Sequence, residues 1–172
     1  MLLNKYYVPK QLFKIFGNFL QNKSALLENE MEPWRYNVGV LQGTFAGPNV
    51  WILIANEALN KFGVYTEVKV QAFADDFVVL TGSTASYHFS EIGTSDLAKL
   101  EKWAEVFSLS LSHETSKFTM FKKNITHIPT INLLSERIQY TIKLKYLGLT
   151  FDPNFSLMPH LNKLKETITK LQ

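Results

Sequence analysis

Two adjacent aspartates, Asp75 and Asp76, separate two apolar runs, Val68 to Phe73 and Phe77 to Leu80. Such a junction favours a strand, a tight acidic turn and a second strand, which sets both carboxylates side by side at a hairpin tip. Hard oxygen ligands on rigid elements are what a magnesium ion needs when it must also bind phosphates. The same pair also reads as a solvated turn, because Asp is a common turn former. Against that, buried strands rarely meet at two unpaired carboxylates without an ion or a basic partner, since charge is costly beside a core. On these residues alone, metal site and plain turn both stay open.

The chain has 172 residues, enough for one domain, or one plus part of another, with a core of its own. A hydrophobic fraction of 46% against 19% charged describes a globular chain rather than a disordered one. No apolar run approaches a membrane span, and Val50 to Ala55 is far too short. Leu2 and Leu3 give way at once to Asn4 and Lys5, which is no signal-peptide pattern. The absence of cysteine excludes disulfides and thiolate zinc sites and fits an intracellular protein without a membrane partner. His88, His113, His127 and His160 lack metal-ligand spacing and read as surface or helix-cap residues. Charge is uneven: residues 1–116 carry nine Lys/Arg and twelve Asp/Glu, whereas residues 117–172 carry nine and three. A basic last third beside an acidic site suits a polyanion that spans both, or else it is a solvated lysine-rich surface.

Pro9 to Leu20 places Leu12, Ile15, Phe16, Phe19 and Leu20 on one helical face. Ser24 to Val38 reads as a loose hairpin. Gly39 to Pro48 is a loop with three glycines, and Pro48 suits the first turn of a helix running from Asn49 to a stop at Gly63. Val68, Val70 and Ala72 alternate with Lys69 and Gln71, giving a strand with one covered face. Val78 to Leu80 is apolar on both faces, which predicts a central strand. Ala85 to Phe107 reads as helical in its second half, with Gly93–Thr94–Ser95 weakening the first. Short strands are expected at Leu109 to Leu111, at Phe118 to Phe121 and from Ile142 to Tyr146, the last interrupted by Gly148. A final helix from Pro159 carries Leu161, Leu164, Ile168 and Leu171 on one stripe. Trp34, Trp51 and Trp103 read as packing residues. The irregular interleaving of strands and helices predicts an α+β fold.

Taken in order, three stretches resemble the reverse transcriptases of non-LTR retrotransposons, in particular the arthropod R1-type elements. Gly39, Gln42, Gly43 and Pro48 match a Gly-x-x-Gln-Gly-x-x-x-x-Pro pattern. Phe73–Ala74–Asp75–Asp76 matches the aromatic-x-Asp-Asp turn. Lys145–Tyr146–Leu147–Gly148, followed by Asp152 and His160, looks like the primer-grip turn and the start of a thumb. The resemblance covers nearly the whole chain. It implies a partial palm over residues 1–152, lacking the upstream Asp motif and the fingers, and the start of the thumb over 153–172.

The resemblance also implies a chemistry and its participants. Nucleotidyl transfer would join deoxynucleoside triphosphates to a DNA primer on an RNA template, with two magnesium ions as cofactor. Asp75 and Asp76 would be the metal ligands and catalytic carboxylates. Phe73, Gln42 and Gly43 would lie against template and nucleotide, and Tyr146, Leu147 and Gly148 would form the primer grip. The partners would be nucleic acid and the remainder of a retrotransposon polyprotein, in the nucleus.

Departures from the family's pattern are visible as well. The family takes a third carboxylate from an upstream strand, and no aspartate precedes Asp75. Leu41 stands where the family usually has Pro, and Ile52 replaces a common Asn. Thr115 and Ser116 occupy the place of a Lys-Thr pair whose lysine serves as general acid. Lys117 lies two residues further on and is either its substitute or a surface lysine. The expectation is therefore a reverse-transcriptase domain fragment that does not polymerise as an isolated chain, with an exposed hairpin edge. A non-catalytic nucleic-acid-binding remnant is the second reading. A small magnesium-dependent phosphatase using Asp75 is a distant third.

Overall fold

The computed structural model describes residues 2–26, 28, 31–36, 39–40, 43–62, 68–82, 88–121 and 127–170. The chain divides into two compact units. The first is Met1–Val64 with Val70–Val78, and the second is Tyr65–Lys69 with Val79–Gln172. Helices and short strands interleave along the chain, so the fold is α+β as the sequence pattern predicts.

In the first unit, α1 (Leu2–Lys5) is followed by α2 (Lys10–Leu20), the amphipathic helix expected from residue 9. Its apolar face buries no residue in the structure. Strands β1 (Lys23–Ala25) and β2 (Trp34–Tyr36) pair antiparallel, Ser24 opposite Arg35, which is the loose hairpin expected there. Helix α3 (Ala46–Phe62) begins three residues before the Asn49 start read from the sequence and takes Pro48 into its first turn. There the missing N–H leaves no helical bond unmade. Leu3, Ala55, Ala58 and Phe62 are buried in this unit. The stop expected at Gly63 lies outside the described residues.

A polar clasp joins α1 to α3. Lys5 Nζ donates to both carboxylate oxygens of Glu57, at 2.8 and 2.7 Å. Tyr6 Oη donates to Glu57 Oε1 at 2.7 Å and accepts from Asn56 Nδ2 at 2.7 Å. The hydrogen bonds from Lys5 and then Tyr6 hold the Glu57 carboxyl below its usual range, and the same contact raises the Lys5 ammonium.

Strands β3 (Val68–Phe73) and β4 (Asp76–Thr81) pair with each other. Val68, Val70 and Ala72 form the covered face, as their alternation predicts. The central place expected for Val78 to Leu80 is not found: β3 and β4 make a two-stranded sheet, and Leu80 is exposed. An apolar run marks burial of side chains but does not specify a second strand neighbour. Among the described residues, no further strand pairs with this hairpin.

The second unit is organised by α4 (His88–Val106), continuous through Gly93. The weak first half read from Gly93–Thr94–Ser95 is thus corrected. A Cβ at Gly93 would meet Ile131 Cδ1 at 3.1 Å, so the glycine admits a close neighbour and the helix accepts the propensity cost. Leu100, Trp103 and Ala104 are buried, and Asp96, also buried, takes a hydrogen bond from Lys99 at 2.6 Å.

Along one stripe of α4, Ser90 Oγ, Thr94 Oγ1 and Glu101 Oε1 accept the backbone N–H groups of Thr130, Asn132 and Leu134. The periods agree. Eleven helical residues rise about 16 Å, and four extended residues span about 13 Å. Helix side chains thereby do for this edge what a further strand would do.

The edge belongs to β6 (Asn132–Leu133), which turns at Leu134–Ser135 and pairs antiparallel with β7 (Glu136–Arg137). Strand β5 (Lys117–Phe118) pairs in parallel with β8 (Gln139–Tyr140), and the Phe118 and Tyr140 rings lie 5.4 Å apart. The strand expected at Leu109 to Leu111 is not formed, and the one expected at Phe118 to Phe121 shrinks to β5. After Phe107 the chain turns through Ser108, at φ 54, with Leu109 N bonded back to Ala104 O at 2.8 Å.

Strands β9 (Leu144–Tyr146) and β10 (Leu149–Phe151) form a hairpin, and α5 (Met158–Thr169) follows. Gly148 does not interrupt a strand but makes the turn between these two. Asp152 orders the way into α5. Its Oδ1 accepts Ser156 N at 2.7 Å and its Oδ2 accepts Ser156 Oγ at 2.5 Å. These two bonds lower the Asp152 carboxyl from its ordinary value.

Candidate active site

The acidic turn forms because two strands end at Phe73 and resume at Asp76, leaving Ala74 and Asp75 to reverse the chain. Ala74 has φ 50, the left-handed region, and Asp75 does not enter it. A two-residue hairpin needs a positive φ at its first central position to match the twist of its strands. For a residue with a Cβ this costs about 1–2 kcal/mol. The cost is offset from outside the hairpin: Trp51 Nε1, on α3, donates to the Ala74 carbonyl oxygen at 2.6 Å. Asp75 and Asp76 are both exposed at the tip, and the Phe73 ring, 58% exposed, stands beside them in the sequence.

Upstream, the glycine loop leads directly into the helix that carries Trp51. Gly39 and Gly43 have φ of 90 and 80, which explains glycine at both positions. Lys23 Nζ on β1 donates to the Gly39 carbonyl. Asn49 Nδ2 bonds back to the Phe45 carbonyl at 3.1 Å, closing the loop onto the first turn of α3. Gln42 lies outside the described residues. The first unit thus contains the described part of the glycine loop, α3 and the acidic turn, and α3 bonds to both the Phe45 and the Ala74 carbonyls.

The expected primer-grip residues occupy the β9–β10 turn in the second unit. Leu147 and Gly148 have φ of 47 and 82 and are both exposed. The Tyr146 hydroxyl is buried without a partner among the described residues. Lys117 is exposed on β5, opposite Gln139 of β8.

Trp51, which the sequence suggests as a packing residue, is half-buried and also donates a hydrogen bond to the acidic turn. Trp103 is a packing residue, 1% exposed, whereas Trp34 is 62% exposed. No sequence pattern marks the Trp51 bond, because its acceptor is a backbone carbonyl 23 residues away.

The donor set answers in part to a divalent cation. Asp75 and Asp76 are hard, exposed and adjacent, as a ligand pair for magnesium must be. Among the described residues, no group of three or more His, Cys, Asp or Glu comes together to hold a metal. Two aspartates alone would fill at most part of the coordination sphere of such an ion. No helix among the described residues is long and apolar enough to cross a membrane.

The acidic turn, the glycine loop and the helix between them all fall within residues 3–151, which match the family model for reverse transcriptase (RNA-dependent DNA polymerase). The chain belongs to this family. Its relatives are proteins of arthropod non-LTR retrotransposons. It is 24% identical over 178 residues to the RNA-directed DNA polymerase from mobile element jockey of Drosophila funebris, covering 97% of this chain and 19% of that one. It is 27% identical over 135 residues to a retrovirus-related Pol polyprotein from type-1 retrotransposable element R1 of Bradysia coprophila, covering 77% and 13%. A putative 115 kDa protein in type-1 retrotransposable element R1DM of Drosophila melanogaster is 23% identical over 131 residues, covering 76% and 13%. The chain thus spans 13–19% of the length of these relatives. No solved structure matches it significantly.

Proposed function

We propose that this chain contributes palm residues (1–152) and the first thumb residues (153–172) to an RNA-directed DNA polymerase. In this reading Asp75 and Asp76 hold magnesium at the tip of the β3–β4 hairpin. When bound, magnesium activates the primer hydroxyl and neutralises charge on the departing pyrophosphate. The chain's own residues set the stage for that chemistry. Phe73 offers an exposed ring face beside the primer end, Gly43 lets the loop backbone approach the nucleic acid, and Gln42 hydrogen-bonds near the nascent base pair. The Tyr146–Leu147–Gly148 turn grips the primer strand, and Lys117 stands as a candidate proton donor to pyrophosphate. Partners are an RNA template, a DNA primer, deoxynucleoside triphosphates and the remainder of the polyprotein, acting in the nucleus.

One observation carries this reading: two exposed adjacent carboxylates on a hairpin turn, with the glycine loop and α3 built into the same unit. The test is primer extension on an RNA template with magnesium and nucleotides, beside an Asp75→Ala/Asp76→Ala variant. Carried out with the remainder of the polyprotein present, since the isolated chain is not expected to polymerise, it should give extension that disappears in the variant while duplex binding persists.

A second reading is favoured by the lack of a third metal ligand among the described residues. There, the basic residues 117–172 hold nucleic acid and no chemistry occurs. Duplex binding in both proteins, with extension in neither, would select it.

A further inference from the structure

We infer that Trp51 is a positioning residue for the acidic turn, holding the peptide plane between Ala74 and Asp75 so that both carboxylates face the same cation; this inference rests on the polymerase reading. The peptide joining the two central residues of a tight turn is the one that can flip, exchanging one turn type for another. Here a flip would carry Asp75 into the left-handed region that it now avoids, while Ala74 keeps φ 50. Asp75 would then leave the backbone in a new direction, and the two carboxylates would part. The Trp51 Nε1 donor, 2.6 Å from the Ala74 oxygen, binds that very carbonyl and opposes the flip.

The donor is itself anchored at both ends of its helix. Trp51 lies in the second turn of α3. Asn49 ties the preceding turn to Phe45 O, and Glu57, two turns further on, is clasped by Lys5 and Tyr6. A rigid donor loses little freedom in making its bond, so the bond can act on the turn rather than on itself. Phenylalanine has no N–H to offer and tyrosine's hydroxyl projects from the far end of its ring, so neither of the other two aromatics reproduces this donor. Through Asn49 and Trp51 the same helix reaches both the glycine loop and the acidic turn, and a displacement of one is felt by the other.

The test uses the full 172-residue chain. Backbone amide exchange at residues 74–77 is followed without metal in the wild type, Trp51→Phe and Trp51→Ala. Mn2+ is then titrated in, and its affinity is read from paramagnetic broadening of the same amides. Trp51→Phe, which keeps an aromatic ring but removes the donor and the pyrrole part of the indole, should speed exchange at the turn about tenfold. It should also weaken Mn2+ binding about threefold or more, the turn now sharing its population between two conformations.

Unchanged exchange in Trp51→Phe with a disrupted Trp51→Ala would reduce the residue to packing and overturn the inference. So would faster exchange with unaltered Mn2+ affinity. Should the Phe variant lose protection throughout α3, the wild type still decides, since a Trp51 indole proton that exchanges as freely as a solvated one is incompatible with the bond. Failure of the polymerase reading looks different: Mn2+ would then leave the wild-type turn amides unbroadened, whatever the exchange result.

Discussion

The β9–β10 hairpin reverses at Leu147–Gly148, with φ of 47 and 82, and the β3–β4 hairpin reverses at Ala74–Asp75, with only Ala74, at φ 50, in the left-handed region. Both turns carry a Cβ at positive φ at their first central position, Leu147 and Ala74. The first turn follows it with a glycine, for which the left-handed φ has no steric cost. The second has no glycine and takes a hydrogen bond from an indole on α3. One turn therefore draws on its own sequence for relief, and the other on the tertiary structure around it. That difference suits their proposed roles. A primer grip needs a fixed shape, whereas a turn bearing charged ligands gains from a conformation that assembles only when the loop and helix beside it are in place.

The largest expected effect is on the glycine-containing turn. Gly148→Val should destabilise the chain by about 2 kcal/mol, because a β-branched residue strongly resists positive φ, and Gly148→Ala by about 1 kcal/mol. A Cβ at Gly148 meets nothing within 4 Å, so strain and not crowding is the cause. Urea unfolding measures both, and equal stability of all three proteins would mean that the turn does not need its left-handed residue.

The helix-supported edge of β6 should respond next. Thr94→Val removes the hydroxyl that accepts Asn132 N–H and keeps the side chain's shape, costing about 1–2 kcal/mol for the donor left without its partner. Amide exchange at Asn132 should rise with it. A protected Asn132 amide in the variant would show that the α4 stripe is not what covers this edge.

At the acidic turn the expected pattern is coupling rather than a single large loss. Trp51→Phe should cost about 1 kcal/mol, and Ala74→Gly should change stability by less, as relief of strain opposes the added chain entropy. In the double variant, glycine should recover part of the loss, because the left-handed residue no longer needs support. A double-mutant cycle that closes additively would separate the indole from the turn's strain.

These turns also mark the limits of what the chain discloses in one dimension. Helix α2, α3, strand β3 and the second half of α4 were legible because apolar residues recur at helical or alternating spacing, a signal contained within one segment. The acidic tip was legible because its flanks are apolar. The Leu134–Ser135 hairpin was not, since both residues hold positive φ, at 54 and 65, a region that neither Leu nor Ser favours. Gly93 looked like a helix breaker because Ile131, the neighbour that requires a glycine, lies in a different segment. The parallel β5–β8 pairing, the α4 side chains on the β6 edge and the Trp51–Ala74 bond share this character: each joins positions far apart in the chain. Three stretches in family order nevertheless pointed to the reverse-transcriptase family.

The smallest effect expected is on pH dependence, and it again separates the two units. Glu57 in the first unit and Asp152 in the second are both held below their ordinary values of 4.5 and 3.8, by Lys5 and Tyr6 in one case and by Ser156 in the other. A depressed folded value means that the unfolded chain binds its proton first. The contribution of each group is therefore complete above its ordinary value and drains away as pH falls through the depressed one. Lys5 acts at the opposite end: its value is raised above 10.5, so its share is complete below that pH and is lost as pH climbs past the folded value. Asp152 is half-buried at a surface turn, and its effect is slight, confined to the entry into α5. Glu57→Gln should flatten the acid limb of α1 and α3 protection while leaving α5 alone, and Asp152→Asn should do the reverse. Exchange measured from pH 3 to 6, a window chosen to bracket ordinary carboxylates, reads both limbs in one series. If Glu57→Gln instead altered α5 protection, acid stability would be a property shared by the whole chain rather than one held separately by each unit.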